Sequence, residues 1–476
     1  MPASQRVSIV TLGCARNEVD SEELAARLAA DGWELAADPA DSDAVIVNTC
    51  GFVDIAKKDS IDAVIAAAEL KDGTEGPRAV VAVGCLSERY GRDLAVELRE
   101  ADAVLGFDDY PHIADRLQRV MAGEEIPAHE PADRRTLLPI APIDRPGAAT
   151  AVPGHGASVP GWSPPVLRRR LDDAPVAPVK LASGCDRRCA FCAIPSFRGS
   201  FVSRDPAEVI AEIAWLAENG VSEAVLVSEN STSYGKDLGD LRLLEALLPA
   251  IGRGTDIARV RVAYLQPAEV RPGLLQVIAR DPVVASYFDL SFQHASPSVL
   301  RRMRRFGGRV DFLALLEQIR ALDPQAGVRS NVIVGFPGET RDDLDELIAF
   351  LVEARLDAIG VFGYSDEEGT EAAAYEGKLD ASEVAARVAE VSALVDELMA
   401  QRAEERIGST VEVLVESVEP VGPGLQAVGR AAHQGPDDSV TTVRLTSADA
   451  GEVRVGDLIT AIVVDTDGVD LIAERG

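Results

Sequence analysis

Three apolar runs in the first hundred residues each end on a cysteine. The runs "VSIVTLGC", "DAVIVNTC" and "AVVAVGC" end at Cys14, Cys50 and Cys85. Segments with helical periodicity follow them, such as "SEELAARLAADG" and "SIDAVIAAAEL", so the pattern predicts repeated βα units around a parallel sheet. Parallel strands end at one edge of a sheet, and open α/β sheets bind ligands at that edge. We therefore expect the three thiols to meet there.

A second alternation begins at Lys180 and continues about six times. Strand-like runs such as "VKLASGC", "EAVLVSEN" and "RSNVIVGFPGE" alternate with helix-like runs such as "PAEVIAEIAWLAENG". The regular spacing predicts a partial (βα)6 barrel, and such barrels carry their chemistry at the carboxyl ends of the strands. Cys185, Cys189 and Cys192 follow the first strand of this set, which is where a reactive group is expected.

The remaining segments differ in pattern. Residues 409–476 contain short β-like runs separated by Gly, Pro and Asp, which predicts a small antiparallel barrel of about five strands. Residues 124–178 hold 11 of the 27 prolines and read as a mobile linker, with Arg168–Arg170 as a solvated charge run. The chain is therefore an α/β protein, and the predicted domains are 1–123, a linker at 124–178, a barrel at 179–407 and a small β-barrel at 408–476.

Composition narrows the class of protein. With 47% hydrophobic residues the chain is globular, and six cysteines in 476 residues favour metal or redox chemistry over a disulfide framework. A formal charge of −31 makes direct nucleic-acid binding unfavourable and favours basic partners. No window of 18 uncharged apolar residues and no signal-peptide pattern occurs, so we expect a cytoplasmic protein without a membrane span.

The spacing Cys185-x3-Cys189-x2-Cys192 lacks a fourth cysteine. Structural zinc sites are closed by four protein ligands, whereas a cubane iron–sulfur cluster held by three thiolates keeps one iron free. That free iron can chelate a small molecule. The three cysteines therefore favour an open iron–sulfur site.

These motifs resemble those of the radical S-adenosylmethionine methylthiotransferases. "LGCARNEVDSE", "VNTCGFVD", "VGCL", "GCDRRCAFCAIPSFRG", "LSFQHAS", "IVGFPGET" and "EEGT" occur in that family's order, over nearly the whole chain. "NTCGF" and "QHAS" make the sequence most similar to the group that methylthiolates an aspartate of ribosomal small-subunit protein S-twelve. The family usually has Pro-Lys where this chain has Ala15 and Arg16, and Gln-Asp where it has Glu229 and Asn230.

The resemblance implies an N-terminal methylthiotransferase domain, a radical barrel and a C-terminal TRAM-type barrel. It implies S-adenosylmethionine and two 4Fe-4S clusters, one on Cys14, Cys50 and Cys85 and the other on Cys185, Cys189 and Cys192. It places Phe191, Asn230, Gly335 and Glu339 around the cofactor. An electron-donor protein, a sulfur donor and the basic S-twelve protein are the implied partners. His294 is a candidate proton carrier or substrate contact, and no catalytic side chain is assigned.

Two alternatives remain open. A related enzyme would methylthiolate an adenosine of transfer RNA, but residues 408–476 contain 12 acidic and 4 basic side chains, a net charge of −8 that suits a basic protein better. The second alternative is a non-catalytic iron–sulfur or zinc protein that acts as a redox sensor or scaffold. That reading predicts no affinity for S-adenosylmethionine and leaves the barrel-like repeats without a purpose.

Overall fold

The structure is a computed structural model and describes residues 5–73, 76–137, 141, 144, 168–421, 424–446 and 451–476. Most of the proline-rich half of the predicted linker lies outside these residues. Its first part, up to residue 137, packs on the N-terminal domain, where His129 N–H donates to Val104 C=O at 3.0 Å. Among the described residues, no helix combines the length and the apolarity that a bilayer crossing needs.

The N-terminal domain is a five-stranded parallel sheet in the order β2-β1-β3-β4-β5. Alternate residues of β3 point to opposite faces, so that Ile46 packs with helices α1 and α4, and Val45 and Val47 pack with α2 and α3. The predicted parallel βα domain is confirmed. Its elements are β1 (Arg6–Thr11), α1 (Ala15–Ala30), β2 (Glu34–Leu35), β3 (Ala44–Thr49), α2 (Asp54–Glu69), β4 (Ala79–Gly84), α3 (Cys85–Glu97), β5 (Ala103–Val104) and α4 (Ile113–Met121).

Six parallel strands form the middle domain, in two three-stranded sheets ordered β6-β9-β10 and β11-β12-β13. Isolated parallel bridges, Val260 to Val284 and Leu265 to Leu290, join the two sheets into one open curve. The partial barrel is thus confirmed. The strands are β6 (Val176–Lys180), β9 (Glu223–Val227), β10 (Arg259–Val262), β11 (Tyr287–Asp289), β12 (Gly327–Val334) and β13 (Ala358–Gly363), and a small hairpin-like pair adds β7 (Ala182–Ser183) and β8 (Val202–Ser203).

Helices cover the outside of this barrel and bury their apolar faces against it. Val209 and Ile213 of α6, Leu247 of α7 and Leu347 of α11 are almost fully buried in the same core as the strands. These helices are α6 (Pro206–Glu218), α7 (Leu243–Gly254), α8 (Pro272–Arg280), α9 (Pro297–Arg302), α10 (Arg309–Leu322), α11 (Arg341–Ala354) and α12 (Ala381–Glu404), whereas the short helix α5 (Ile194–Arg198) packs against the N-terminal domain.

The C-terminal domain is a closed five-stranded barrel in the order β14-β15-β16-β18-β17. Four neighbouring pairs are antiparallel as predicted, but β16 and β18 are parallel. The reason is parity, because a closed ring with an odd number of strands cannot alternate direction all the way round. The strands are β14 (Thr410–Val421), β15 (Gly424–Ala431), β16 (Thr441–Leu445), β17 (Leu458–Asp467) and β18 (Asp470–Arg475).

Buried ion pairs fix both ends of the middle domain to its neighbours. Arg261 is fully buried, lies 2.8 Å from Glu223 and donates to Ala432 C=O of the C-terminal barrel at 2.8 Å. On the other side, Arg168 donates to Glu212 at 2.6 Å and also contacts Glu22 of α1. The prediction that Arg168 is solvated was therefore wrong, since the two carboxylates that neutralise it come from elements distant in sequence.

Candidate iron–sulfur and cofactor sites

Cys14, Cys50 and Cys85 lie at the carboxyl ends of β1, β3 and β4, at one edge of the sheet. Gly13 has φ +93°, and a Cβ built on it would lie 2.7 Å from Cys50 Cβ, so the two turns are in close contact. Asn17 links all three turns: its side chain donates to Leu12 C=O at 2.8 Å and to Thr49 C=O at 3.2 Å, and its Oδ1 lies 3.8 Å from Cys85 Sγ. The three thiols therefore converge.

The three thiols of this group have different electrostatic surroundings. Burial raises the pKa of the Cys14 thiol, but the charges of Arg16 and Arg198 outweigh burial and leave that pKa below its ordinary value. Burial raises the pKa of Cys50, and it raises that of Cys85 to about 11. Iron would favour the thiolate form at all three positions, because a bound cation reverses the effect of burial on a coordinating thiol.

Cys185, Cys189 and Cys192 line one cavity at the carboxyl ends of the barrel strands. The cavity has about 670 Å³ of empty space, part of it open to solvent. Its other walls include Asn230 after β9, Tyr264 after β10 and Gln293 after β11, and Phe52 reaches it from the N-terminal domain. The position agrees with the rule for barrel enzymes, and the cavity is large enough for a small organic cofactor beside a cluster.

The backbone holds the cysteine loop in place. Cys185 N–H donates to Gly199 C=O at 3.0 Å, and Ala190 N–H donates to Met303 C=O at 3.1 Å. Arg187 N–H points at Cys185 Sγ at 3.4 Å, which is a contact that stabilises a thiolate. Burial nevertheless raises the pKa of Cys185 strongly and that of Cys192 to about 12, so these thiols also need a cation to ionise at neutral pH.

A buried charged wall separates the two groups of cysteines. Arg198, at the end of α5, donates to Cys85 Sγ at 3.1 Å, and its Nε lies 3.8 Å from Glu229 Oε1. Arg16 lies 3.6 Å from the same carboxylate and stacks on Tyr264, with its guanidinium 5.4 Å from the ring centre. Among the described residues, Arg198 Nη1 and both Glu229 oxygens are buried without a hydrogen-bond partner. Such orphaned polar atoms are expected where a polar ligand binds.

The structure separates the other four predicted cofactor residues into two pairs. Phe191 and Asn230 line the cavity with the cysteines, and Asn230 donates to Ser233 and to Glu269, both at 2.8 Å. Gly335 and Glu339 are not among the cavity's lining residues; Gly335 N–H donates to Glu339 at 2.9 Å within a strand-to-helix turn.

Glu339 is occupied by structural partners. Its carboxylate lies 2.7 Å from Arg387 of α12 and 3.4 Å from His294, which is fully buried. His294 Nδ1 in turn accepts from Ser296 N–H at 3.0 Å. His294 does not line the cavity of the cysteines, and its Nε2 is buried without a hydrogen-bond partner among the described residues, so its role as a proton carrier or substrate contact stays a prediction.

Several residues at the site had no predicted role. Arg198 stands in the quoted "IPSFRG" run, and Arg305 brings its Nη1 to 3.8 Å from Cys189 Sγ. Glu229 was noted only as a departure from the family pattern. Charge was the one available signal, since an arginine just after a cysteine loop is a common partner for a thiolate.

The donor sets suit clusters better than single metal ions. All six cysteines are free thiols, and the described residues contain no group of three or more His, Cys, Asp or Glu side chains close enough to hold one metal ion. A cubane cluster spans thiolates that lie farther apart than the ligands of one ion. Each group offers three thiols and no fourth, which leaves one iron of a cubane open.

The partial parallel barrel with a three-cysteine loop at its carboxyl edge defines the class of this protein. A family model described as the radical SAM superfamily matches residues 179–351, a TRAM domain matches 407–475, and the uncharacterized protein family UPF0004 matches 6–106. The solved structure of the radical S-adenosylmethionine methyltransferase TsrM from Kitasatospora setae has the same fold, with a TM-score of 0.52 and 15% identity over 75% of this chain and 73% of that chain.

Full-length relatives then specify the family. The chain is 64% identical over 472 residues to the ribosomal protein uS12 methylthiotransferase RimO of Nocardioides sp. (strain ATCC BAA-499 / JS614), covering 98% of this chain and 96% of that one. It is 62% identical over 483 residues to the RimO of Streptomyces coelicolor, covering 100% and 97%. The chain therefore belongs to the family of ribosomal protein uS12 methylthiotransferases.

Proposed function

We infer that this protein is a radical S-adenosylmethionine transferase that attaches a methylthio group to the β-carbon of an aspartate in ribosomal protein uS12. The substrate assignment is supported by the full-length similarity to relatives that are named ribosomal protein uS12 methylthiotransferases. The observation that carries the mechanism is the convergence of two three-thiol groups on a shared buried wall. Because a ribosomal protein is the substrate, we place the reaction in the cytoplasm.

We assign the cofactors to the two groups of cysteines. One 4Fe-4S cluster would lie on Cys14, Cys50 and Cys85, and the other on Cys185, Cys189 and Cys192. When bound, the clusters and S-adenosylmethionine would supply an electron, a carbon radical, a sulfur atom and a methyl group. Such chemistry is required because no side-chain base readily removes a proton from an aspartate β-carbon at neutral pH.

The chain's own residues would bind and orient these groups. Phe191 packs in the cluster of Ala190, Met303 and Phe336 and lines the cavity, so it would exclude water from one side of the second cluster. Asn230 would present its amide at the cavity wall, held there by Glu269. Gly335 and Glu339 would act indirectly, because they fix the turn after β12 against α12.

Arg198 and Arg16 would neutralise the sulfur-rich side of the first cluster. Arg198 already contacts Cys85 Sγ and keeps one buried N–H without a partner among the described residues. Hydrogen bonds to sulfur and nearby positive charge both raise the reduction potential of an iron–sulfur cluster. An electron-donor protein and a sulfur donor complete the list of proposed partners.

The substrate test is a direct comparison of two acceptors. Anaerobically reconstituted protein, dithionite, sulfide and S-adenosylmethionine are incubated with uS12 and, in a second reaction, with bulk transfer RNA. Mass spectrometry should find a gain of one methylthio group on an aspartate-containing uS12 peptide and none on RNA. The same gain on an adenosine, with uS12 unchanged, would instead assign the protein to the transfer RNA reaction.

A further inference from the structure

A groove rich in arginine lies beside the cavity of Cys185, Cys189 and Cys192. It has about 1230 Å³ of empty space, and among the residues that the structure describes it is lined by five arginines and by a single acidic residue, Asp186. The arginines are Arg187, Arg188, Arg301, Arg304 and Arg305. In a chain with a formal charge of −31, this is a local concentration of positive charge. A patch of this kind attracts an acidic partner, while the rest of the surface repels it.

Part of this charge is available to a partner. Arg188 and Arg301 are exposed and make no side-chain hydrogen bond or ion pair with any residue that the structure describes. Arg304 pairs with Glu371 at 2.7 Å, but both side chains are nearly half exposed, so the pair is weak. Phe306 stands in the same groove with 75% of its surface exposed. Arginines around an exposed aromatic ring have the composition of a protein-binding hot spot.

The groove adjoins the cysteine loop through two residues. Arg187 and Arg305 line both the groove and the cavity, and Arg305 Nη1 lies 3.8 Å from Cys189 Sγ. One layer of side chains therefore separates a partner in the groove from the second cluster. Because the rate of electron transfer falls exponentially with distance, a donor protein bound in this groove would be close enough to reduce that cluster.

We propose that the arginine groove is the docking site for an acidic one-electron carrier protein of the flavin or iron–sulfur type. The proposal rests on the proposed function, because only the radical reaction needs the electron. In that reaction the carrier would lose one electron, and the cluster held by Cys185, Cys189 and Cys192, when bound, would supply this electron to S-adenosylmethionine. Reductive cleavage would break one carbon–sulfur bond and give methionine and, with a hydrogen atom from the substrate, 5′-deoxyadenosine.

RNA is the other anionic occupant to consider. An RNA strand needs positive charge along an extended path, but residues 408–476 hold 12 acidic and 4 basic side chains. A compact acidic protein needs only one basic patch. The position of the groove next to Cys189 favours electron transfer to the second cluster, whereas RNA binding gains nothing from closeness to this cysteine.

The test changes two groove arginines that lie outside the cysteine loop and the cavity. The variant Arg301→Glu/Arg304→Gln is compared with Arg253→Glu/Arg280→Gln, which changes charge equally at the ends of α7 and α8, on the amino-terminal side of the strands. Holoenzyme of each is supplied with S-adenosylmethionine and uS12 and assayed for 5′-deoxyadenosine with reduced flavodoxin and, separately, with dithionite. With flavodoxin at low salt, we expect the groove variant to be about tenfold slower than wild type and the control within about twofold. With dithionite all three should be equal.

Three outcomes would overturn the proposal. The first is an unchanged flavodoxin rate in the groove variant, and the second is an equal loss with dithionite. The third is loss of affinity for a single-stranded RNA, measured by fluorescence anisotropy, while the flavodoxin rate stays normal, which would make the groove an RNA site. Failure of the proposed function looks different: wild type would form 5′-deoxyadenosine with dithionite but leave uS12 unmodified.

Discussion

The turn at Gly13 provides the sharpest structural test of the first cluster site. Gly13 precedes Cys14, has φ +93° and contacts the turn of Cys50. In Gly13→Ala the new Cβ would lie 2.7 Å from Cys50 Cβ and 3.0 Å from its Sγ. Carbon atoms in contact lie about 3.5–4.0 Å apart, so the two turns must separate by about 1 Å. Metal ligands tolerate displacements of only about 0.2 Å, so we expect the first cluster to be lost.

Gly32 offers a matched control in the same domain. It has φ +89°, and a Cβ built on it would meet no atom of the described part of the chain within 4 Å. Both alanine variants therefore carry the same backbone cost of about 1–2 kcal/mol for a left-handed residue, but only Gly13→Ala displaces a cysteine. A difference between the two variants isolates the contact with Cys50 from the general cost of the backbone conformation.

The assay is iron and acid-labile sulfide per chain after anaerobic reconstitution. Wild type and Gly32→Ala should hold about eight irons, and Gly13→Ala about four, because the second cluster does not depend on this turn. Gly13→Ala should still cleave S-adenosylmethionine to 5′-deoxyadenosine and should fail to modify uS12. If Gly13→Ala bound as much iron as Gly32→Ala and modified uS12 normally, the geometry described for this site would be wrong.

Other predictions concern buried and surface charge. Arg198→Met should lower the free energy of unfolding of the apoprotein, measured by urea denaturation, by about 3–5 kcal/mol, because the nearby buried carboxylates lose their cation. An equally large loss in Arg198→Lys, which keeps the charge, would contradict this explanation. Burial raises the pKa of Glu223, but Arg261 and Arg259 bring it to about 2, below its ordinary 4.5. The stability contributed by Glu223 is complete above about pH 4.5 and is lost as the pH falls towards 2. Acid unfolding, followed by circular dichroism, should therefore depend less steeply on pH in Glu223→Gln than in wild type. An identical unfolding profile would refute this link between the Glu223 pKa and stability. Reversing Asp465 and Asp467 to Lys on the acidic barrel should slow uS12 modification most below 0.1 M salt, where the screening length exceeds about 10 Å, and a salt-independent rate would exclude steering.

Local periodicity was sufficient to predict where the cysteines lie. Cys14, Cys50 and Cys85 each follow a mainly apolar run, and strand direction alone then brings them to one edge of the sheet. The cysteine loop was equally predictable from its position after the first barrel strand. In both cases, the deciding information lies within ten residues of the cysteine.

Contacts between domains were not predictable in this way. Arg198 and Cys85 are 113 residues apart, and only the packing of α5 against α3 brings them to 3.1 Å. Asp438 shows the same effect, since its carboxylate is bound to Tyr287 and Arg329 of the middle domain, both at 2.7 Å, although its sequence context suggests a solvated acid. The role of Glu339 could not be predicted from the sequence for a different reason. An acidic residue in the first turn after a strand has the same local sequence pattern whether it caps the turn or binds a ligand.

The division of labour between the two cysteine groups is the central claim, and one reaction mixture tests it. The variant with Cys14, Cys50 and Cys85 changed to Ala is reconstituted, supplied with dithionite, S-adenosylmethionine, sulfide and uS12, and analysed by mass spectrometry for 5′-deoxyadenosine and for modified uS12. We expect 5′-deoxyadenosine with no methylthio group on uS12, because the second group alone supports cleavage and the first is needed to insert sulfur. Loss of 5′-deoxyadenosine in a folded variant, or methylthiolated uS12 from it, would contradict the account.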